Sequence, residues 1–371
     1  MTASKVYFTD MRARNGESLP QKLLRLIRAA GMETMDFEGC FTAIKMHFGE
    51  PGNLSGLRPN FARTVACAVL ARGGRPFLTD CNTLYVGERS NALDHLGAAA
   101  VNGFFYESCG CRVVIADGLK GTDETLVPLE NTKHVREAKI GRAIMDADIF
   151  LSLNHFKGHE ATGFGGALKN IGMGCGSRAG KMEQHCSGKP EVDEAACRRC
   201  RRCADQCAHG AIGFDAGPAR IDHARCVGCG RCIGACNFHA IDNLSDSGNV
   251  ILCEKIAEYA LAVLRGRPHF HISIINQVSP YCDCHAENDL PIIPDVGMLA
   301  SFDPVALDQA CADLCNAQQP VPGSLLAERR AAGGCEDHFT CVFPETNWRV
   351  TLRHAEALGI GTTRYELITM R

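Results

Sequence analysis

Short apolar runs alternate with longer segments of helical period along most of the chain. Thr42–His47 (TAIKMH) is apolar and β-rich and predicts a strand. Phe61–Arg72 predicts a helix and Pro76–Thr79 a short strand. Arg112–Ala116 (RVVIA) and Asp148–Leu153 (DIFLSL) predict further strands, with a helix over Gly141–Ala147 before the second. Towards the C-terminus follow a helix over Val250–Arg265, a strand over Phe270–Ile275 and a helix over Pro304–Cys315. Short apolar strands alternating with helices predict an α/β fold, a mainly parallel sheet with helices on both faces. Two polar, Pro/Gly-containing stretches, Ser187–Ala196 and Asp242–Asn249, break the alternation and read as linkers. They divide the chain into a first host part, 1–186, a small α+β insert, 187–249, and a second host part, 250–371.

The ends of the predicted strands carry the unusual residues. His47 and Glu50 follow the first, Asp80, Cys81 and Asn82 the second, and Asp117 the third. Asn154, His155, Lys157, His159 and Glu160 follow DIFLSL, and Asn276 and Gln277 follow HISII. In an open parallel sheet ligands bind outside the carboxyl ends of the strands, so these residues are expected to converge. The candidates for catalysis are His47, Asp80, Cys81, His155, Lys157, His159 and Lys169. Asp or His can move protons near neutral pH, and lysine can hold an anionic substrate. His155, Lys157 and His159 share a face if extended; if coiled, His155 and His159 share one. Glycines 163, 165, 166, 172, 174 and 176 allow close backbone approach. Gly174–Ala179 fits G-x-G-x-x-A without a preceding strand and is rejected as a dinucleotide fingerprint.

Composition narrows the classes. Of 371 residues, 46% are apolar and 22% charged, enough for a substantial core. A formal net charge of −3 weighs against a nucleic-acid binder. No apolar run approaches the roughly 18 residues of a membrane span, and the start, MTASKVYFTDMRARNG, has no secretory pattern, so a cytoplasmic location is expected. The 22 cysteines then read as metal ligands in a reducing compartment.

Eight of those cysteines fall between Cys197 and Cys236, in two runs of C-x2-C-x2-C-x3-C set 29 residues apart. Ala211-Ile212 after the first run matches Ala240-Ile241 after the second, which marks an internal duplication. Three thiolates at such spacing can wrap one face of a cubane while the fourth reaches the other cluster. Two [4Fe-4S] clusters are therefore expected, one on Cys197, Cys200, Cys203 and Cys236, the other on Cys226, Cys229, Cys232 and Cys207. Zinc gives no reason for two four-cysteine runs. Arg198, Arg199, Arg201 and Arg202 surround the first loop, as a solvated rim or as a docking patch for an acidic redox partner. Cys311 and Cys315 read as core packing. Cys282, Cys284 and His285 are three soft ligands that could join Cys81 or His155 in a further metal site.

The insert resembles the bacterial-type two-cluster ferredoxin domain, with Ala208 and Asn237 where that domain usually has proline. IKMHFGEPGN, PFLTDCNTLYVG, HFKGHEATGFGGALKNIGMGCGSRAGK, and CDC followed by DVGMLASFDPVALDQA resemble the domain-of-unknown-function 362 family, whose members often carry such an insert. A more distant similarity is to the N-terminal region of nickel-dependent lactate racemase. The resemblance implies the fold and the insert. The leading expectation is an iron–sulfur oxidoreductase that relays electrons between a redox partner and a small-molecule substrate site in the host, with a further metal or a flavin left open. The alternatives are a ferredoxin-like carrier or adapter without catalysis, and a racemase- or lyase-like enzyme with structural clusters. Neither nucleic acid nor membrane is expected as a partner.

Overall fold

The computed structural model describes residues 2–370 except 14, 85–86, 186–189, 208, 216, 227–231, 233–234, 237, 239 and 243–245. Among the described residues an eight-stranded sheet forms the centre, made of β1 (Ser4–Asp10), β2 (Phe41–Lys45), β3 (Arg75–Asp80), β4 (Arg112–Ile115), β5 (Ile149–His155), β6 (His269–Ile275), β7 (Gly297–Ser301) and β8 (Tyr365–Thr369). The strand order is β8-β1-β7-β6-β5-β2-β3-β4. β7 pairs antiparallel with both neighbours, and the other pairings are parallel. One edge of the sheet therefore receives the carboxyl ends of β2 to β6.

β5 sits in the middle and is buried at all seven positions, as expected of an apolar strand covered on both faces. Its side chains alternate between two cores: Phe150 faces one layer, and Ile149, Leu151 and Leu153 the other. Helices α1 (Leu19–Ala29) and α2 (Pro59–Leu70) cover the second layer with Leu23, Leu26, Ile27, Phe61, Val65 and Val69. α3 (Ala92–Val101) follows, its N-terminus capped by the Asn91 side chain. On the opposite face lie α4 (Ala167–Cys175), α6 (Asp246–Leu264), α7 (Pro304–Asn316) and α8 (Arg349–Ala357), with α5 (Arg178–His185) between α4 and the insert. α7 starts where a helix should, with Pro304 in its first turn and the Asp303 carboxylate accepting from the Val305 and Ala306 amides. Cys311 and Cys315 are fully buried in this layer. No described helix is long and apolar enough to cross a membrane.

The insert repeats itself in three dimensions. Glu191–Val192 pairs with Ile241–Asp242, and Ile212–Gly213 pairs with Arg220–Ile221, both antiparallel. Moving the first strand of either pair by 29 residues lands on a strand of the other pair. Its few buried apolar side chains include Cys203, Ala219, Cys232 and Ile241. α6 begins at Asp246, inside the stretch expected to be a linker.

Candidate functional site

The duplication is carried by matching hydrogen bonds. The Cys197 amide donates to the Asp193 carbonyl at 3.1 Å and the Cys226 amide to the Asp222 carbonyl at 2.9 Å. The Asp193 amide donates to Ala240 at 2.8 Å and the Asp222 amide to Ala211 at 2.7 Å. The Ala211 and Ala240 amides donate to the sulfurs of Cys207 and Cys236, each at 3.3 Å, and the Ala219 amide to that of Cys197 at 3.4 Å. Backbone donors on sulfur are what an anionic thiolate requires. Cys197, Cys200, Cys203 and Cys236 line one small cavity together with Phe214, Ala219, Phe238 and Ile241. Three thiols from the first loop and the last thiol of the second thus converge. Cys229, assigned with Cys226, Cys232 and Cys207, lies outside the described residues.

Arg198, Arg199, Arg201 and Arg202 are all exposed around the first loop. Arg199 and Arg201 have φ of 55° and 64°, a left-handed conformation that costs a non-glycine residue about 1–2 kcal/mol. The equivalent positions of the second loop are Gly228 and Gly230.

At the sheet edge, parallel neighbours place charged residues side by side. The ammonium of Lys45, at the end of β2, meets the Asp80 carboxylate at the end of β3 at 3.0 Å, both side chains fully buried. Asn170 of α4 accepts from the same ammonium at 2.9 Å and donates to the Lys45 carbonyl at 3.0 Å. Burial alone would raise the Asp80 carboxyl, but the Lys45 ammonium beside it holds it well below the usual carboxylate range. The His47 Nδ1 accepts the Gly49 amide at 3.0 Å, and Arg89 reaches its Nε2 at 2.9 Å while also donating to Glu50 at 2.8 Å. Burial, reinforced by Arg89, pushes the His47 imidazole well below its ordinary value, so the ring is neutral.

The chain takes the extended alternative after β5. Lys157–His159 forms a hairpin with Gly163–Gly165, and Lys157 and His159 turn to one side. A side chain at Gly165 would collide with the Lys157 ammonium, and one at Gly174 with that of Lys45, so both glycines are there for close approach. Facing the hairpin is the turn Cys282–His285, closed by the His285 amide on the Cys282 carbonyl at 3.1 Å. Asp283 turns inward, 3.0 Å from the His155 Nδ1 and 4.0 Å from the Lys157 ammonium. The other ring nitrogen of His155 lies 2.7 Å from the Asn276 carbonyl. Both nitrogens therefore face oxygen acceptors. Burial opposes the charge on Asp283, and His155 and Lys157 outweigh it, holding the carboxyl well below its ordinary range.

Cys282 is buried, and its sulfur lies 3.6 Å from the Lys169 ammonium. The His159 Nδ1 accepts the Ala161 and Thr162 amides, so its proton is on Nε2, free to donate to that sulfur. The Cys284 hydrogen bond, aided by Lys169 and Lys157 against the cost of burial, lowers the Cys282 thiol well below its usual value and makes it the thiolate of the pair. The same shared proton, with burial, pushes Cys284 up.

Of the residues singled out in the sequence, the structure gathers His155, Lys157, His159, Lys169, Cys282 and Cys284 into one site, with His47 and Asp80 in the charged network beside it. Cys81 turns the other way: its sulfur donates to the Cys175 carbonyl at 3.3 Å and packs beside Gly141 and Ala116 in the apolar layer. Adjacent residues of a strand face opposite sides, so Asp80 and Cys81 could not both point into the site. Glu160, rather than Cys81 or His155, joins Cys284 and His285: their donor atoms lie within 4.8 Å of one another. Lys45, Arg89, Asn170 and Asp283 were not singled out, although Asp283 stands between two cysteines that were and Lys45 lies inside the first strand pattern.

Fold and site together define an α/β protein with a thiol-rich, duplicated insert and a charged, thiol-containing sheet edge. Residues 42–313 match the family described as a domain of unknown function (DUF362), and the chain belongs to that family. No curated protein matches it. Among solved structures it is similar to a protein from Thermotoga maritima, with a TM-score of 0.39 and 11% identity over 80% of this chain and 58% of that one. It is also similar to a lactate racemase apoprotein from Thermoanaerobacterium thermosaccharolyticum, with a TM-score of 0.38 and 10% identity over 84% of this chain and 57% of that one. The chain thus spans under three fifths of either structure's length.

Proposed function

We propose that the protein is an iron–sulfur oxidoreductase, in which two [4Fe-4S] clusters held by the insert connect an acidic redox partner with a site at the host sheet edge. The observation that carries this reading is the single cavity lined by Cys197, Cys200, Cys203 and Cys236. A mononuclear zinc site would draw on two local pairs, whereas the crossed set is the ligand pattern of paired cubanes. When bound, the clusters supply single-electron transfer. The chain's own part is to place thiols and amide donors around them and to present four exposed arginines at the first loop, where positive charge attracts an acidic partner. At the sheet edge, Lys157 and Lys169 hold an anionic substrate beside the Cys282 thiolate, and the charged pairs beneath fix their positions.

Anaerobically purified protein is expected to contain about eight irons and eight labile sulfides per chain, and to bleach reversibly on reduction. Zinc without sulfide, or about four irons, overturns the reading.

A further inference from the structure

We infer that Glu160, Cys284 and His285 form a site for a single borderline-soft divalent cation, Zn2+ or Fe2+, with Lys157 and Lys169 beside it to hold an anionic ligand. This deepens the proposed function at the same sheet edge and rests on it only for the source of electrons. The three donor atoms, a sulfur, an imidazole nitrogen and a carboxylate oxygen, lie within 4.8 Å of one another, and the Cys284 thiol releases its proton to solvent when the cation binds. That set suits Zn2+ or Fe2+ and excludes the hard cations, which take oxygen ligands. Three protein ligands leave a four-coordinate cation one open position, the arrangement of catalytic rather than structural sites.

A simple ion pair explains less. The His285 Nε2 lies 3.0 Å from Glu160 Oε1, but Glu160 Oε2 is buried with no hydrogen-bond partner among the described residues. A carboxylate oxygen left bare in this way is costly unless a cation satisfies it. The scaffold is also fixed in advance. The turn that carries Cys284 and His285 is pinned by the Glu50 amide on the Asp283 carbonyl at 2.9 Å, by the Asn53 side chain on the His285 carbonyl at 3.0 Å, and by the Leu54 amide on Asn288 at 2.9 Å. From the other side, the Lys157–His159 hairpin delivers Glu160, with the Gly158 amide donating to the Ser279 carbonyl at 2.9 Å. Supporting bonds of this kind hold metal ligands in position. On the same turn, the Cys282 sulfur lies 3.6 Å from the Lys169 ammonium, and Asp283 lies 4.0 Å from that of Lys157. An anionic substrate can thus meet the cation and an ammonium at once.

The test is a Zn2+ titration of the intact, cluster-containing protein against a chromophoric chelator, after removal of adventitious metal, with iron and sulfide counted in parallel. One Zn2+ is expected to bind per chain without loss of sulfide. Cys284→Ser should weaken binding by about 100-fold, and Glu160→Gln, which keeps every thiol and the fold, by at least about tenfold. Cys200→Ala should lose a cluster and leave Zn2+ binding unchanged. No Zn2+ bound by the wild type, binding unaffected by both sheet-edge changes, or binding abolished by Cys200→Ala overturns the inference. Zn2+ binding that follows the sheet-edge changes in a protein lacking sulfide would sustain the site while sinking the electron-transfer reading.

Discussion

The insert and the sheet edge both collect thiols and charge, by opposite routes. In the insert, cysteines three or four residues apart lie along one loop, and Cys236 from the copy 29 residues on joins Cys197, Cys200 and Cys203. At the sheet edge, Lys45, Asp80, His155, Lys169 and Cys282 come from five separate segments and meet because parallel strands end together. The energetic bases differ as well. The host has two large apolar layers. Among the described residues the insert's buried cluster is Cys203, Ala219, Cys232 and Ile241, with Val192, Ile212, Phe214 and Ile221 packed against it. Small domains of that kind depend on metal for their stability.

The largest contrast should appear when the clusters are removed by oxidation and chelation. Amide exchange in 190–242 is then expected to lose protection, while β5 and β6 stay protected. Equal protection in both regions would show that the insert folds on its own core. Next in size is Asp283→Asn, which leaves the Lys157 ammonium buried without its counter-charge. Breaking a buried pair costs about 3–5 kcal/mol, so the denaturant midpoint of the host should fall while the iron and sulfide count holds. An unchanged midpoint would mean that the sheet-edge charges are solvated.

A smaller effect is expected at Asp117, whose carboxyl burial pushes up to about 6. The unfolded value is near 3.9. Between those values the folded state binds the extra proton, so stability should fall as pH rises from about 4 to about 6, on the order of 2 kcal/mol in all. Asp117→Asn can still accept the Asn82 amide and side-chain bonds and removes the slope. A pH-dependence that survives the substitution would place its origin elsewhere. The smallest change concerns the arginines of the first loop. Electron transfer with an acidic partner should slow by roughly tenfold between low and physiological salt, where the Debye length is about 8 Å, and slow further on Arg198→Glu or Arg202→Glu. Salt-independent rates would return these arginines to ordinary surface.

Much of this was legible in the chain. β5 and β6 were readable because strands buried on both faces are continuous apolar runs, as in DIFLSL and HISII, and the partly buried β3 and β4 as short β-rich runs, PFLT and RVVIA. β1 and β8 were not: their half-buried positions at one side of the sheet leave no such run, and the antiparallel β7 is only GMLAS. The convergence of Cys197, Cys200 and Cys203 on one cavity was legible because cysteines at that spacing lie along a single tight loop. The sheet-edge residues were legible by type and by place at strand ends, but not by orientation. Cys81 faces the core because Asp80 before it faces the site. Glu160 could be matched with His285 only once the hairpin had folded back onto the turn.

The crossed wiring of the insert is tested most directly by electron paramagnetic resonance of the reduced protein in single cysteine variants. Cys200→Ala and Cys236→Ala are expected to alter the same cluster signal, although the two residues lie in different repeats, and Cys226→Ala to alter the other. If Cys236→Ala instead shares its loss with Cys226→Ala, each repeat holds its own metal, and the paired-cubane reading is contradicted.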